Sequence, residues 1–161
     1  MKNIAIIGRG SWGVALAVHL ASVGNKVKLW SFNKDEKDMI NNEKKCKFLP
    51  NVEIPDGIEC STDFEKVIKG SDFIIHVTPS KYTRETFKQY KQYVGNIPVI
   101  ICSKGFEKDT CKTLDEVILD ELPTARVGAL SGPSHAEEVS IGVPPVLVIA
   151  SKAADVINVI Q

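Results

Sequence analysis

Apolar residues fall along this chain in two alternating patterns. Short unbroken runs occur at 3–7 (NIAII), 27–30 (VKLW), 58–61 (IECS), 72–79 (DFIIHVTP), 98–105 (PVIICSKG), 125–133 (ARVGALSGP) and 143–151 (VPPVLVIAS). Between them lie stretches with helical spacing: 11–23, a polar 35–44, 64–69, 80–93, 112–122, SHAEEVSIG and a final AADVINVIQ. Continuous apolar strands are buried on both faces, as in parallel sheets covered by helices. Strand and helix in strict alternation predict a Rossmann-like, doubly wound α/β fold, with a mostly parallel sheet and helices on both faces.

Local signals set the breaks. Gly24-Asn25 ends the first helix. Two prolines and a glycine make FLPNVEIPDG (48–57) a loop. Thr62 or Asp63 caps the helix at 64–69, and Ser80 caps the one at 80–93. In that helix Tyr82, Phe87, Tyr90 and Tyr93 read as a core face. At the end of the chain, Val156, Ile157, Val159 and Ile160 form an apolar face with nothing after it to pack on. The expectation is that the natural chain continues. Residues 1–161 are then one dinucleotide-binding domain, with 155–161 the start of a truncated helix and a helical substrate domain absent.

With 161 residues, the chain is long enough for one domain with its own core. Its 20 basic and 20 acidic residues balance, and no basic run is interleaved with aromatics, so nothing points to nucleic acid. The four cysteines, at 46, 60, 102 and 111, form no C-x-x-C pair and no zinc pattern. Cys60 and Cys102 read as small core residues. No apolar run reaches the roughly 18 residues of a membrane span, and a cytoplasmic, reduced protein is expected.

The chemistry gathers where strands end. Gly8-Arg9-Gly10-Ser11-Trp12-Gly13 fits G-x-G-x-x-G directly after a strand and opening a helix, the context that gives the pattern meaning. Gly8 permits the tight turn, Gly10 lets a pyrophosphate approach the backbone, and Gly13 lets helix and sheet pack closely. Free amides and partial positive charge at the helix start then face the phosphates. Ser11 is a candidate cap or phosphate donor. An NAD-selective site places an acid at the end of the second strand. Here Ser31-Phe32-Asn33-Lys34 follows, with Asp35 and Glu36 just beyond. Lys34 and Asn33 are candidates for a 2′-phosphate, and Phe32 for the adenine. These residues slightly favour NADPH and leave NADH open.

Ligands of open parallel sheets collect at the carboxyl ends of the strands. Two further loops there carry candidate groups: Cys102-Ser103-Lys104-Gly105, with a lysine poised over the site, and Ser131-Gly132-Pro133-Ser134-His135-Ala136, a second small-residue turn opening a helix. His135 reads as a surface or cap residue rather than a catalyst. Glu137 and Glu138 read as first-turn acids favouring the helix dipole. His19 and His76 read as structural.

GRGSWG (8–13), KLWSFN (28–33), FLPNVEIP (48–55), VTPS (77–80), SKGFE (103–107) and SGPSHAEEV (131–139) occur in the order found in NAD(P)-dependent glycerol-3-phosphate dehydrogenases. The chain resembles that family over essentially its whole length. The resemblance implies a cytoplasmic oxidoreductase that interconverts dihydroxyacetone phosphate and sn-glycerol 3-phosphate, supplying the phospholipid backbone, with a homodimer expected for the complete enzyme. By position, it implies that Gly8, Gly10, Ser11, Trp12 and Gly13 bind the pyrophosphate. Lys104 meets both cofactor and substrate, Gly132 and Ser134 contact substrate, and Ala136 contacts cofactor. Phe32 stands at the adenosine end, where the family often has a polar or basic residue. The family's proton-transfer lysine and phosphate-gripping arginine belong to a second, helical domain outside this chain.

Hydride transfer to a ketone also needs a proton donor within hydrogen-bond reach. The sequence shows no convincing one, so the fragment is expected to bind dinucleotide and turn over little. Lys104 contributes by placing a cation near the developing alkoxide. The competing readings are a non-catalytic dinucleotide-binding or redox-sensing module, and a related two-domain reductase of another small anionic substrate.

Overall fold

The computed structural model describes residues 1–160. Seven strands form one sheet in the order β3-β2-β1-β4-β5-β6-β7. They are β1 (Asn3–Ile7), β2 (Lys26–Trp30), β3 (Ile58–Ser61), β4 (Phe73–His76), β5 (Val99–Ile101), β6 (Val127–Ser131) and β7 (Val148–Ser151). The helices are α1 (Ser11–Ser22), α2 (Lys34–Asp38), α3 (Phe64–Ile68), α4 (Thr83–Tyr90), α5 (Leu114–Glu121), α6 (Ala136–Ser140) and α7 (Ala154–Ile160). The first six strands pair in parallel. The chain winds outward from β1 through β2 to β3, then crosses back to β4 on the other side of β1. The switch point of the doubly wound fold therefore lies between β1 and β4.

The pleat of β1 explains the two layers. Ile4 and Ile6 face one core with α1 and Val156, while Ala5 and Ile7 face the other with Phe87, Tyr90 and Ile118. Burying each of these aliphatic side chains is worth about 1.5–3 kcal/mol. That gain on both faces is what an unbroken apolar run encodes.

The structure settles some local expectations and corrects others. β7 runs antiparallel to β6, with Ala129 opposite Ala150. After β6 the chain forms α6 against α1 at the same edge of the sheet and returns directly, with no crossover. The span 80–93 is not one helix: single 3₁₀ turns at Ser80–Tyr82 and Lys91–Tyr93 flank α4. Phe87 and Tyr90 are fully buried, but Tyr82 is half exposed and lies outside the core. Ser80 does not cap, since the cap position falls on Pro79. Asp63 is the cap of α3, its carboxylate accepting from the Glu65 N–H at 2.9 Å. The polar stretch after β2 is α2 followed by one π-helical turn, Met39–Glu43.

The terminal apolar face does have a partner. Val156 is fully buried in the β1 core, and Val159 and Ile160 pack against it. Gln161, the last residue of the expected truncated helix, lies outside the described residues.

Candidate functional site

The turn after β1 has the geometry its glycines predict. Gly8 adopts φ +129, and a Cβ there would meet the Val77 carbonyl oxygen at 2.7 Å. A Cβ on Gly13 would stand 2.1 Å from the Gly8 carbonyl oxygen, so α1 packs against the turn at a distance only glycine allows. A Cβ on Gly10 would meet nothing within 4 Å. Its missing side chain leaves open space rather than filling a contact.

Gly10, not Ser11, holds the cap position of α1; Ser11 is already helical, and no side chain caps this end. The helical ladder starts with the Val14 N–H donating to the Gly10 carbonyl at 3.0 Å. The amides of Ser11, Trp12 and Gly13 precede it and have no helical acceptor. No acid sits in the first turn, so the positive end of the helix is uncompensated. Open space above bare amides is the cradle a diphosphate requires, and the residues present fit a dinucleotide.

This cradle is one wall of a cavity of about 1180 Å³ at the carboxyl edge of the sheet. The residues of the glycine turn, Phe32, Lys104, Gly132, Ser134 and Ala136 all line it. Gly8, Gly10, Ser11, Trp12 and Gly13 form the floor at the switch point, Phe32 stands beyond β2, Lys104 follows β5, and Gly132, Ser134 and Ala136 follow β6. A Cβ on Gly132 would come within 2.2 Å of the Val146 carbonyl oxygen, so this glycine is also required for close backbone packing. His135 occupies the cap position of α6, makes no side-chain cap, and is exposed at the rim.

The loops after β4 and β5 are stitched together. Ser103 donates its hydroxyl to the Thr78 carbonyl at 2.5 Å. Behind Thr78 lies a buried polar relay: Tyr90 Oη is 2.9 Å from His76 Nδ1, and His76 Nε2 is 2.8 Å from Thr78 Oγ1. Burial pushes His76 down to about 4, so its imidazole is neutral, with one donor and one acceptor nitrogen. Cys102 lines the cavity, but burial pushes its thiol up to about 12. It is no nucleophile at neutral pH.

Sequence reasoning missed how the lysine loop is held. Three residues beyond exposed Lys104, Glu107 accepts from Arg84 Nε and Nη2 at 2.7 and 2.8 Å. Arg84 also reaches Glu121 and Asp120 at 2.8 and 3.0 Å. The Arg84 guanidinium, helped by the Thr110 hydroxyl, holds Glu107 down to about 2. The network ties the loop to α4 and α5. It joins residues 23 and 37 positions apart, which leaves no periodic signal in the sequence.

The adenosine end also differs from expectation. The Asn33 side chain is used as the cap of α2, accepting from the Glu36 N–H at 3.2 Å, and neither Asn33 nor Lys34 lines the cavity. The groups that do are Arg9, Phe32 and Phe48. Arg9 sat unread inside the glycine motif.

Known proteins match this chain in sequence and in fold. Residues 3–157 match the model of the NAD-dependent glycerol-3-phosphate dehydrogenase N-terminus. The chain belongs to this family. Glycerol-3-phosphate dehydrogenase [NAD(P)+] of Agathobacter rectalis is 36% identical over 163 residues, covering 100% of this chain and 48% of the relative. That of Shouchella clausii is 41% identical over 160 residues, covering 94% and 46%. The crystal structure of the Coxiella burnetii glycerol-3-phosphate dehydrogenase superposes with a TM-score of 0.90 at 32% identity, over 99% of this chain and 51% of that one. The chain thus spans about half the length of the curated relatives it matches. As a member of the glycerol-3-phosphate dehydrogenase family it corresponds to their N-terminal, dinucleotide-binding part, and its cofactor class is a nicotinamide dinucleotide. No helix among the described residues is long and apolar enough to cross a membrane.

Proposed function

We propose that residues 1–161 are the dinucleotide-binding domain of a cytoplasmic enzyme that interconverts dihydroxyacetone phosphate and sn-glycerol 3-phosphate with NAD(P)H. The observation that carries this reading is convergence: the α1 cradle, Lys104 and the Gly132–Ala136 turn line one cavity at the switch point. A non-catalytic binding module requires only the first of the three.

The bound nicotinamide supplies the hydride. The chain's own residues do the rest of the positioning. The amides of Ser11, Trp12 and Gly13 hold the diphosphate, and Ala136 meets the cofactor from α6, which packs beside α1. Gly132 and Ser134 present small, polar surface to the phosphorylated substrate, and Lys104 sets a cation beside the oxygen that gains charge. The proton donor is supplied by a helical second domain outside this chain. Exposed Val146 and Val148, which flank the cavity-lining Leu147, offer apolar surface for it to cover. NADPH is favoured over NADH, because no acid stands at the end of β2 where a 2′-hydroxyl would be recognised.

Titration with both reduced dinucleotides and a turnover assay with dihydroxyacetone phosphate test the reading together. The expected result is binding with negligible turnover by 1–161, and full turnover by the complete protein. Enzyme-like turnover by 1–161 would remove the need for a second domain. Binding without turnover by the complete protein would establish the non-catalytic module instead.

A further inference from the structure

We propose that Arg9, the second residue of the glycine turn, selects a dinucleotide bearing a 2′-phosphate. This rests on the reading that the cavity binds a nicotinamide dinucleotide, and it names the residue that reads the cofactor's adenosine end.

Arg9 reaches from the turn toward the end of β2. Its guanidinium lies 4.5 Å from the Phe32 ring centroid and 5.1 Å from that of Phe48. Both rings line the cavity, so the cation is held at an aromatic wall suited to a base or ribose. Its Nε pairs with Glu36, whose other oxygen takes Lys47 Nζ at 2.6 Å. Arg9 and Glu36 side chains keep only 11% and 9% of their exposure, so the carboxylate lies beneath the guanidinium rather than in the cavity.

Two consequences follow. Glu36 is the first buried acid after β2, and it does not line the cavity. It is already shared between two cations, and its backbone N–H is taken by Asn33. The site is thereby deprived of the group that would favour NADH. The cluster of Arg9, Lys47 and Glu36 also carries two positive charges and one negative, an excess of one cation. Arg9 spends its Nε edge on Glu36, while its Nη edge makes no hydrogen bond among the described residues. A guanidinium presenting two parallel N–H groups matches a phosphate. Lys47, half exposed beside Phe48 at 4.9 Å from the ring centroid, supplies the second charge.

The alternative is that Arg9 only stacks on the adenine, which would serve NADH and NADPH alike. Equilibrium titration of wild type, Arg9→Gln and Lys47→Ala with NADPH and NADH separates the two. Competition by adenosine 2′,5′-bisphosphate against 5′-AMP isolates the extra phosphate from the nicotinamide half. Wild type is expected to bind NADPH more tightly than NADH. Arg9→Gln should weaken NADPH and the bisphosphate roughly ten- to a hundredfold, while NADH and 5′-AMP change less than about threefold. Lys47→Ala, which touches no buried contact but Glu36, should move the same ratio in the same sense by a smaller factor. It serves if Arg9→Gln fails to give a cooperative melt. Equal losses for both dinucleotides, or tighter NADH binding by wild type, would overturn the assignment of Arg9. Wild type that binds neither dinucleotide would overturn the functional reading beneath it as well.

Discussion

Adding one methyl group to Gly10 and, separately, to Gly13 separates the two jobs of the turn. In Gly13→Ala the new Cβ stands 2.1 Å from the Gly8 carbonyl oxygen and 3.0 Å from its carbon. Carbon and oxygen rest at about 3.3 Å or more, so helix and turn must separate by about 1 Å. Both clashing atoms are backbone, which places the cost toward the top of the roughly 1–3 kcal/mol range for overpacking. Alanine returns up to about 1 kcal/mol in helix propensity. A net loss of about 2 kcal/mol lowers Tm by about 4–8 °C for a chain of this size. Gly10 is different. Its φ of −64 and ψ of 176 suit any residue, and the added Cβ meets nothing. Alanine is a poorer cap by less than about 1 kcal/mol, so Tm stays within about 3 °C. The methyl instead occupies the space through which a phosphate reaches the Ser11, Trp12 and Gly13 amides. Loss of one charge-assisted hydrogen bond, about 1.5–3 kcal/mol, weakens dinucleotide binding about ten- to a hundredfold. Trp12 and Trp30 both line the cavity, so quenching of intrinsic fluorescence reports binding while far-UV circular dichroism follows the melt. A Gly10→Ala variant that binds like wild type would place the diphosphate elsewhere and refute the cradle.

Three other perturbations probe the same structure. His76 sits at about 4 against an ordinary 6.5; between those values the unfolded chain binds the extra proton, so stability falls as pH drops from about 6.5 to about 4, by up to about 1.4 kcal/mol per unit. Denaturant titrations of His76→Gln across that window should lose this component of the slope, and an unchanged slope would assign the acid sensitivity to another group. Glu107 is held down to about 2 from an ordinary 4.5, so its ion pair stabilises fully above about 4.5 and is lost as pH falls through 2. The Tm gap between wild type and Glu107→Gln should therefore close over that range, and a gap constant with pH would show a packing effect instead. In the complete protein, Lys104→Ala should lower kcat/KM for dihydroxyacetone phosphate at least tenfold with dinucleotide affinity falling less; wild-type kinetics would remove Lys104 from the site.

Much of this protein was legible in one dimension because its causes are local. A strand buried on both faces is apolar along most of its run, so Ile4–Ile7 and Phe73–Ile75 announce parallel strands. A turn that brings α1 within contact distance of β1 tolerates only glycine at 8 and 13, because any other side chain would overlap a carbonyl. The chain order of strands and helices then fixed the edge at which Lys104 and the Gly132–Ala136 turn had to meet the glycine motif. Tertiary structure alone decided the rest. β7 turns antiparallel because α6 keeps the chain at one edge of the sheet, a matter of where a helix packs rather than of any strand residue. Arg84 anchors the lysine loop, and Glu36 lies under Arg9, through charges far apart along the chain. Such pairs leave no periodic trace, since a charged side chain finds its partner through space, and only the folded sheet sets which of many equivalent cations and carboxylates come within a few ångströms.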